Sequence, residues 1–211
     1  MESGYLFLSV DDTLRQIVGA KDFSQIDLNS GFYQIPIKES DVFKTAFTLP
    51  FGHYEFLRMP FGLCNAPKTF QSAMNTILGD LDFVKIFVDD VLIYSPNLES
   101  HVTHVETVLV PMKNANITIN LDKSNFVVFE VEYLGYLINY EGLKPSQRNL
   151  EALDNIKPPR TVKDVMKLVG LIIWIRPFLK NLSIHIAHIT DLTRNRQKRI
   201  KFYGYLNIKK F

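Results

Sequence analysis

The chain has 211 residues, 46% of them hydrophobic, enough for one sizeable core plus a smaller appended unit and unlike a disordered, collagen-like or coiled-coil composition. A single cysteine, Cys64, excludes an internal disulfide framework; no apolar run reaches the ~18 residues of a membrane span, and MESGYLFLSV lacks a basic start, so a soluble, intracellular protein is expected. The net charge of +2 hides a division: residues 1–142 carry 9 Lys/Arg against 18 Asp/Glu, and residues 143–211 carry 15 against 4. Carboxylates suit metal binding and a basic surface suits a polyanion; the plainer alternative is segregation of charge on solvated faces.

In chain order, Leu14, Ile17 and Val18 recur at helical spacing, with Gly19 as a stop. FSQIDL (23–28) alternates like a strand and NSG (29–31) interrupts it. YQIPIK, TAFTL and YEFLRM continue the β-type pattern through residue 59, broken by Pro50 and Gly52. After Pro67, the stretch 68–79 places Phe70, Met74, Ile77 and Leu78 on one helical face and ends at Gly79. VKIFV and VLIYS, joined by two aspartates, form a hairpin over 84–95. Residues 100–115 are expected to be helical, 117–129 a strand and 131–138 a further β segment. Beyond the change near 141–145, two amphipathic helices are predicted over 145–156 and 161–175, with Ser146 and Thr161 at N-cap positions, and a third from Pro177 to about Thr193. The expectation is an α+β part over 1–142 and an all-helical part over 143–211.

The acidic doublet carries the chemistry. Phe87, Val88 and residues 91–93 are apolar and call for burial, so a turn between them holds Asp89 and Asp90 at the edge of a core. Two adjacent carboxylates repel, and desolvation raises the cost of ionising both. A divalent cation removes the conflict, since Mg²⁺ prefers hard oxygen ligands. The alternative is an ordinary exposed acidic turn. Asp27 also ends an apolar strand before a turn. If the two strands are neighbours, three carboxylates converge, the arrangement that two-cation phosphoryl transfer needs.

FSQIDLNSGFYQIPI, KTAF, FGHYEFLRMPFGLCNAPKTFQ, IFVDDVLIYS and VEYLGYLINYEGLKP resemble, in order and spacing, the reverse transcriptase of gypsy-like LTR retrotransposons, from about residue 10 to about 194. The resemblance implies a right-hand polymerase: a palm with partial fingers over 1–142 and a helical thumb or connection segment over 143–211. It implies RNA-directed DNA polymerase activity, two Mg²⁺ ions (Mn²⁺ as a substitute), deoxynucleoside triphosphates, and an RNA or DNA template with primer. Asp27, Asp89 and Asp90 match the catalytic carboxylates, and the Leu28 carbonyl a further metal ligand. Phe87 stands where the family more often has tyrosine. Phe32 matches the aromatic gate against a ribonucleotide 2′-OH, with plain core packing as the alternative.

Phe61 and Gly62, in MPFGLCNAP, match the loop beside the nucleotide, with Gly62 allowing close backbone approach. Leu134, Gly135 and Tyr136 match the primer grip. Lys157, Arg160, Lys163 and Lys167 are placed to reach duplex phosphates, and the run from Arg194 to Lys201 either joins them or is an exposed tail. Cys64, with no histidine near it in sequence, is expected as a small buried residue. In the family, finger strands with basic residues precede this region, whereas MESGYLFLS contains no Lys or Arg, and RNase H and integrase follow on the same polyprotein. These departures leave a second reading, a non-catalytic nucleic-acid-binding remnant, and a weaker third, a two-metal nuclease.

Overall fold

The computed structural model describes Leu14 and residues 16–79, 81–156, 158–159 and 161–178. The chain divides into two compact units, Met1–Leu143 and Lys144–Phe211.

In the first unit, strands β1 (Asp22–Leu28), β4 (Val84–Phe87), β5 (Asp90–Ser95) and β6 (Ile119–Val128) form a sheet in the order β4-β5-β1-β6. Each neighbouring pair given by register in that sheet is antiparallel. Helices α1 (Ala66–Leu78) and α2 (Leu98–Asn114), with Phe32 and Met59, complete the core against this sheet. Alternation along β1 explains the layering. Ile26 and Leu28 join Val91 and Ile93 of β5 in one cluster with Phe70, Met74 and Leu78 of α1 and Val108 and Met112 of α2. The intervening Gln25 and Asp27 therefore project from the opposite face. In α1 the buried Phe70, Met74 and Leu78 recur every four residues, Pro67 sits in the first turn and Gly79 ends the helix at φ 64°. The side chain of Asn97 caps α2 by accepting from the Ser100 N–H at 2.9 Å.

The expected β segments between residues 33 and 59 are largely replaced. Residues Glu39–Thr45 form a 3-10 helix, and only the short hairpin β2 (Phe47–Leu49) and β3 (Gly52–Tyr54) is regular. The apolar residues there do not build an alternating buried face: Phe43, Phe51 and Leu57 are all exposed. The segment 131–138 is itself a hairpin, β7 (Glu130–Tyr133) and β8 (Tyr136–Asn139), because Leu134 and Gly135 both adopt positive φ and turn the chain. β9 (Gly142–Pro145) follows at the division between units.

In the second unit, α3 (Gln147–Asp154) precedes α4 (Val162–Trp174). Thr161 and Asp164 form a reciprocal capping box at the start of α4. Ser146 occupies the N-cap position of α3 but makes no side-chain cap bond; its hydroxyl oxygen is buried without a partner. Val165 is the fully buried residue of α4, with Leu168, Leu171 and Ile172 half-buried. The third predicted helix lies outside the described residues except for a 3-10 turn at Arg176–Phe178, as does the basic run from Arg194 to Lys201.

A buried polar relay ties the sheet to α2. The His101 ring, fully buried, bonds Ser24 Oγ at 2.8 Å and Ser95 Oγ at 2.7 Å, and Ser95 Oγ also meets His104 Nδ1 at 2.8 Å. Ser24 Oγ accepts from the Val127 N–H, and His104 stacks on Phe83. Burial holds the His101 pKa below its ordinary value, with the Asp22 charge opposing and His104 adding to the depression. The unfolded chain, with a His pKa of about 6.5, therefore takes up this proton more readily than the folded one. Stability should be fully present above about pH 6.5 and fall as the pH drops below it. Urea midpoints measured from pH 7.5 to 5 check this: relative to His101→Gln, the native chain should lose stability as the pH falls across the window.

Candidate active site

Asp27 is the penultimate residue of β1, and the register of β1 against β5 sets it directly opposite Asp90. Facing residues of an antiparallel pair project to the same side, with Cβ atoms about 4.5–5.5 Å apart. The β4–β5 hairpin is closed by the pair Phe87 and Asp90, so its two turn residues are Val88 and Asp89. This corrects the expected placement: the turn comes one residue earlier than the aspartate doublet, and Asp90 already belongs to the strand. Asp90 is fixed there by its pairing with Asp27, while the Val88 side chain packs against the core, leaving Phe87 exposed rather than buried.

The turn is strained. Val88 has φ 52°, a left-handed conformation that a β-branched residue rarely adopts, at a cost of roughly 1–3 kcal/mol. Its N–H donates to Gln71 Oε1 of α1 at 3.1 Å, and Gln71 Nε2 donates to the Ile86 carbonyl at 3.1 Å.

The carboxylates are poorly compensated. Asp89 Oδ1 is buried with no hydrogen-bond partner among the described residues, an exception to the usual satisfaction of buried polar atoms. Burial pushes the Asp89 carboxyl above its ordinary pKa, and the charge of Asp27 pushes it further. Burial raises Asp90 as well, against the opposing hydrogen bond from Gln25 Nε2 at 3.5 Å, and the charges of Asp27 and Asp89 add to the rise. Asp27 is anchored through its backbone, whose N–H donates to Ser124 Oγ at 3.0 Å. Among the described residues no three carboxylate, histidine or cysteine side chains are gathered into a ready-made cage. That arrangement is consistent with a Mg²⁺-type site, since Mg²⁺ is usually held by one or two carboxylates plus substrate phosphates and water rather than by protein alone. The donor set is hard oxygen throughout, and the partnerless Asp89 oxygen is the atom a cation would satisfy.

Of the other sequence candidates, Phe32 lies in the 3-10 turn Gly31–Gln34 and is itself part of the core, its ring edge-on to Phe70 at 5.5 Å and to Phe61 at 5.2 Å. Gly31 makes that seat possible, because a Cβ there would fall 2.9 Å from Phe70 Cζ. Phe61 is exposed and also touches Tyr33. Gly62 has open space around its Cα; its glycine is needed for φ 95°, not for close approach to protein. Leu134 (φ 53°) and Gly135 (φ 82°) form the β7–β8 turn, while Tyr136 is buried. Cys64 is exposed, contrary to expectation. Lys163 and Lys167 are exposed on α4, and Lys157 and Arg160 lie outside the described residues.

Three relevant residues escaped the sequence reading: Gln71, Gln25 and Tyr133. The Tyr133 phenol is buried, and burial together with the charge of Asp90 pushes its pKa up. Its only sequence signal was its position just before the Leu134–Gly135 turn. Gln71 and Gln25 gave none, since an isolated glutamine reads as a solvated side chain.

The family profile described as "Reverse transcriptase (RNA-dependent DNA polymerase)" matches residues 3–138. The chain belongs to the reverse transcriptase family. It is 37% identical over 201 residues to the retrovirus-related Pol polyprotein from transposon opus of Drosophila melanogaster, covering 93% of this chain and 20% of that protein. Against the Pol polyprotein from transposon gypsy of the same organism the identity is 35%, over 90% of this chain and 19% of that protein. The chain thus spans about a fifth of these relatives' length. Its fold is similar to a foamy viral protease-reverse transcriptase solved with double-stranded DNA (TM-score 0.84, 27% identity, 92% of this chain and 34% of that one). The same viral protein in complex with an RNA/DNA hybrid gives TM-score 0.79 at 28% identity, over 90% of this chain and 26% of that one. The α+β architecture is therefore polymerase-like, and the expected family assignment holds. Among the described residues no helix is long and apolar enough to cross a membrane.

The raised carboxyls have a measurable cost. Asp ionises near about 3.9 in the unfolded chain and at higher pH in the folded one. Folding stability therefore falls as pH rises through the folded values and recovers towards about pH 3.9. Asp89→Asn and Asp90→Asn should each raise the urea midpoint at pH 7, with the gain shrinking as pH falls towards 4. A variant less stable than the native chain at pH 7 would contradict the assignment of uncompensated charge.

Proposed function

We propose that this chain is the catalytic region of an RNA-directed DNA polymerase, adding deoxynucleotides to a primer 3′-OH on an RNA or DNA template. The observation that carries the reading is the register of Asp27 against Asp90, with the partnerless Asp89 oxygen one residue away. Asp27, Asp89, Asp90 and the Leu28 carbonyl are the groups that would hold two Mg²⁺ ions, with Mn²⁺ as a substitute. Such ions lower the pKa of an attacking hydroxyl and neutralise charge on the leaving oxygens.

The chain's own residues do the positioning. The primer oxygen forms a new bond to the α-phosphorus as the bond to pyrophosphate breaks, and the hydroxyl proton passes to solvent or a nearby base. Phe32, backed by Phe70, limits the space beside the nucleotide sugar, which disfavours a 2′-OH. Phe61 is exposed where an incoming base or sugar would lie against it, and Gly62 shapes that loop. The β7–β8 turn, with Leu134 and Gly135 at its tip and Tyr136 anchoring it, sets the primer end near Asp90.

Residues 1–142 serve as palm with partial fingers and residues 143–211 as a thumb or connection segment. There the exposed Lys163 and Lys167, together with Lys157 and Arg160, contact duplex phosphates without reading sequence. Such contacts weaken steeply as salt rises.

Primer extension on an RNA template with Mg²⁺ is the direct assay. Extension is expected, with Asp27→Asn, Asp89→Asn and Asp90→Asn each lowering the rate by about a hundredfold or more while retaining salt-sensitive duplex binding. Duplex binding with no incorporation by the native chain would instead make it a nucleic-acid-binding remnant.

A further inference from the structure

The acidic turn has an unusual support. Val88 is half-buried, its side chain packed against the core, and its backbone is held at φ 52° where glycine or asparagine would be at ease. Nothing in its own side chain favours that conformation. What does is one amide on a different element. Gln71 Oε1 accepts from the Val88 N–H, and Gln71 Nε2 donates to the Ile86 carbonyl two residues earlier, so one planar group ties the end of β4 to the first residue of the turn.

The same Nε2 donates to Asn75 Oδ1, one helical turn on, at 3.2 Å. Orientation of the Gln71 amide is therefore fixed by chemistry: a backbone N–H needs the oxygen and a backbone carbonyl needs the nitrogen. The amide is carried between Phe70 and Met74 in sequence, near the two buried anchors of α1, so the helix cannot drift from the sheet without releasing the turn.

We infer that Gln71 is a positioning residue: its amide clamps Val88 in the left-handed conformation and thereby directs the Asp89 carboxylate, the next residue, towards Asp27 and Asp90. Gln71 itself touches neither nucleotide nor metal in this account. The inference rests on the polymerase reading only for its activity readout. Groups that orient metal ligands typically govern about 10–100-fold in affinity or activity, and this one acts through the backbone of the neighbouring residue.

The test is a double-substitution cycle on the full chain, with Mn²⁺ binding read by calorimetry beside primer extension. Gln71→Met keeps the volume and removes both turn bonds. It should weaken Mn²⁺ binding and lower kcat by about 10–100-fold, with KM for primer–template little changed. In a Val88→Gly background, where glycine adopts the turn unaided, the same Gln71→Met change should have little effect on either quantity. Equal losses in both backgrounds would show that Gln71 merely supports packing and would overturn the proposal, as would unchanged Mn²⁺ binding in the single variant. Amide exchange on the native chain covers the case in which Gln71→Met does not fold: the Val88 N–H should be protected, and exchange at the rate of an open turn overturns the clamp. A native chain that binds Mn²⁺ without extending primers sinks the polymerase reading, while the Mn²⁺ arm of the cycle still decides the clamp.

Discussion

Two antiparallel strands, β1 and β5, are locked in a register that leaves Asp27 facing Asp90 across the sheet. Shifting either strand by one residue would turn its own pair, Ile26 and Leu28 of β1 or Val91 and Ile93 of β5, out of the core they share with α1 and α2. Hydrophobic packing on one face therefore dictates carboxylate apposition on the other. The like charges cannot relax by sliding, because the cost of exposing two large apolar side chains, about 1.5–3 kcal/mol each, exceeds what separation of partly screened charges returns. Strain at Val88 and the partnerless oxygen of Asp89 are further costs at the same sheet end. Both costs fall at the edge where the proposed cation site would lie, and a bound cation would offset the second of them.

Much of this was legible in the residues. Alternation in 23–28 marked β1, the apolar run 91–95 marked β5, and the spacing of Phe70, Met74, Ile77 and Leu78 set the buried face of α1. The aspartate doublet and Asp27 stood out because charge beside strongly apolar runs conflicts with burial. What stayed hidden was whatever depends on long-range geometry. The turn lies at Val88 and Asp89 and not at the two aspartates, since register with a strand more than sixty residues away overrides local turn preference. Phe87 and Cys64 proved exposed because hydrophobicity does not tell which side of an element meets solvent. Gln71 was silent for the same reason: its role exists only once α1 lies against the β4–β5 turn.

Family membership and local geometry bear on different parts of the account. The match over residues 3–138 and the likeness to foamy viral reverse transcriptase establish the family and its polymerase-like fold. The geometry adds what similarity does not state: one oxygen lacks a partner, one turn is strained, and one glutamine holds it. It also shows Phe32 packing on Phe70 within the core while its ring meets the exposed Phe61 edge-on.

The central claim is that Asp27, Asp89 and Asp90 act as one charge-coupled site for divalent cations. A Mg²⁺ titration of the full chain, followed through the side-chain carboxyl ¹³C resonances of those three residues, tests it most directly. The account predicts that all three shift together along one saturable curve, and that replacing any one by asparagine weakens the response of the other two. Independent responses, or an Asp27 resonance indifferent to Mg²⁺, would contradict it.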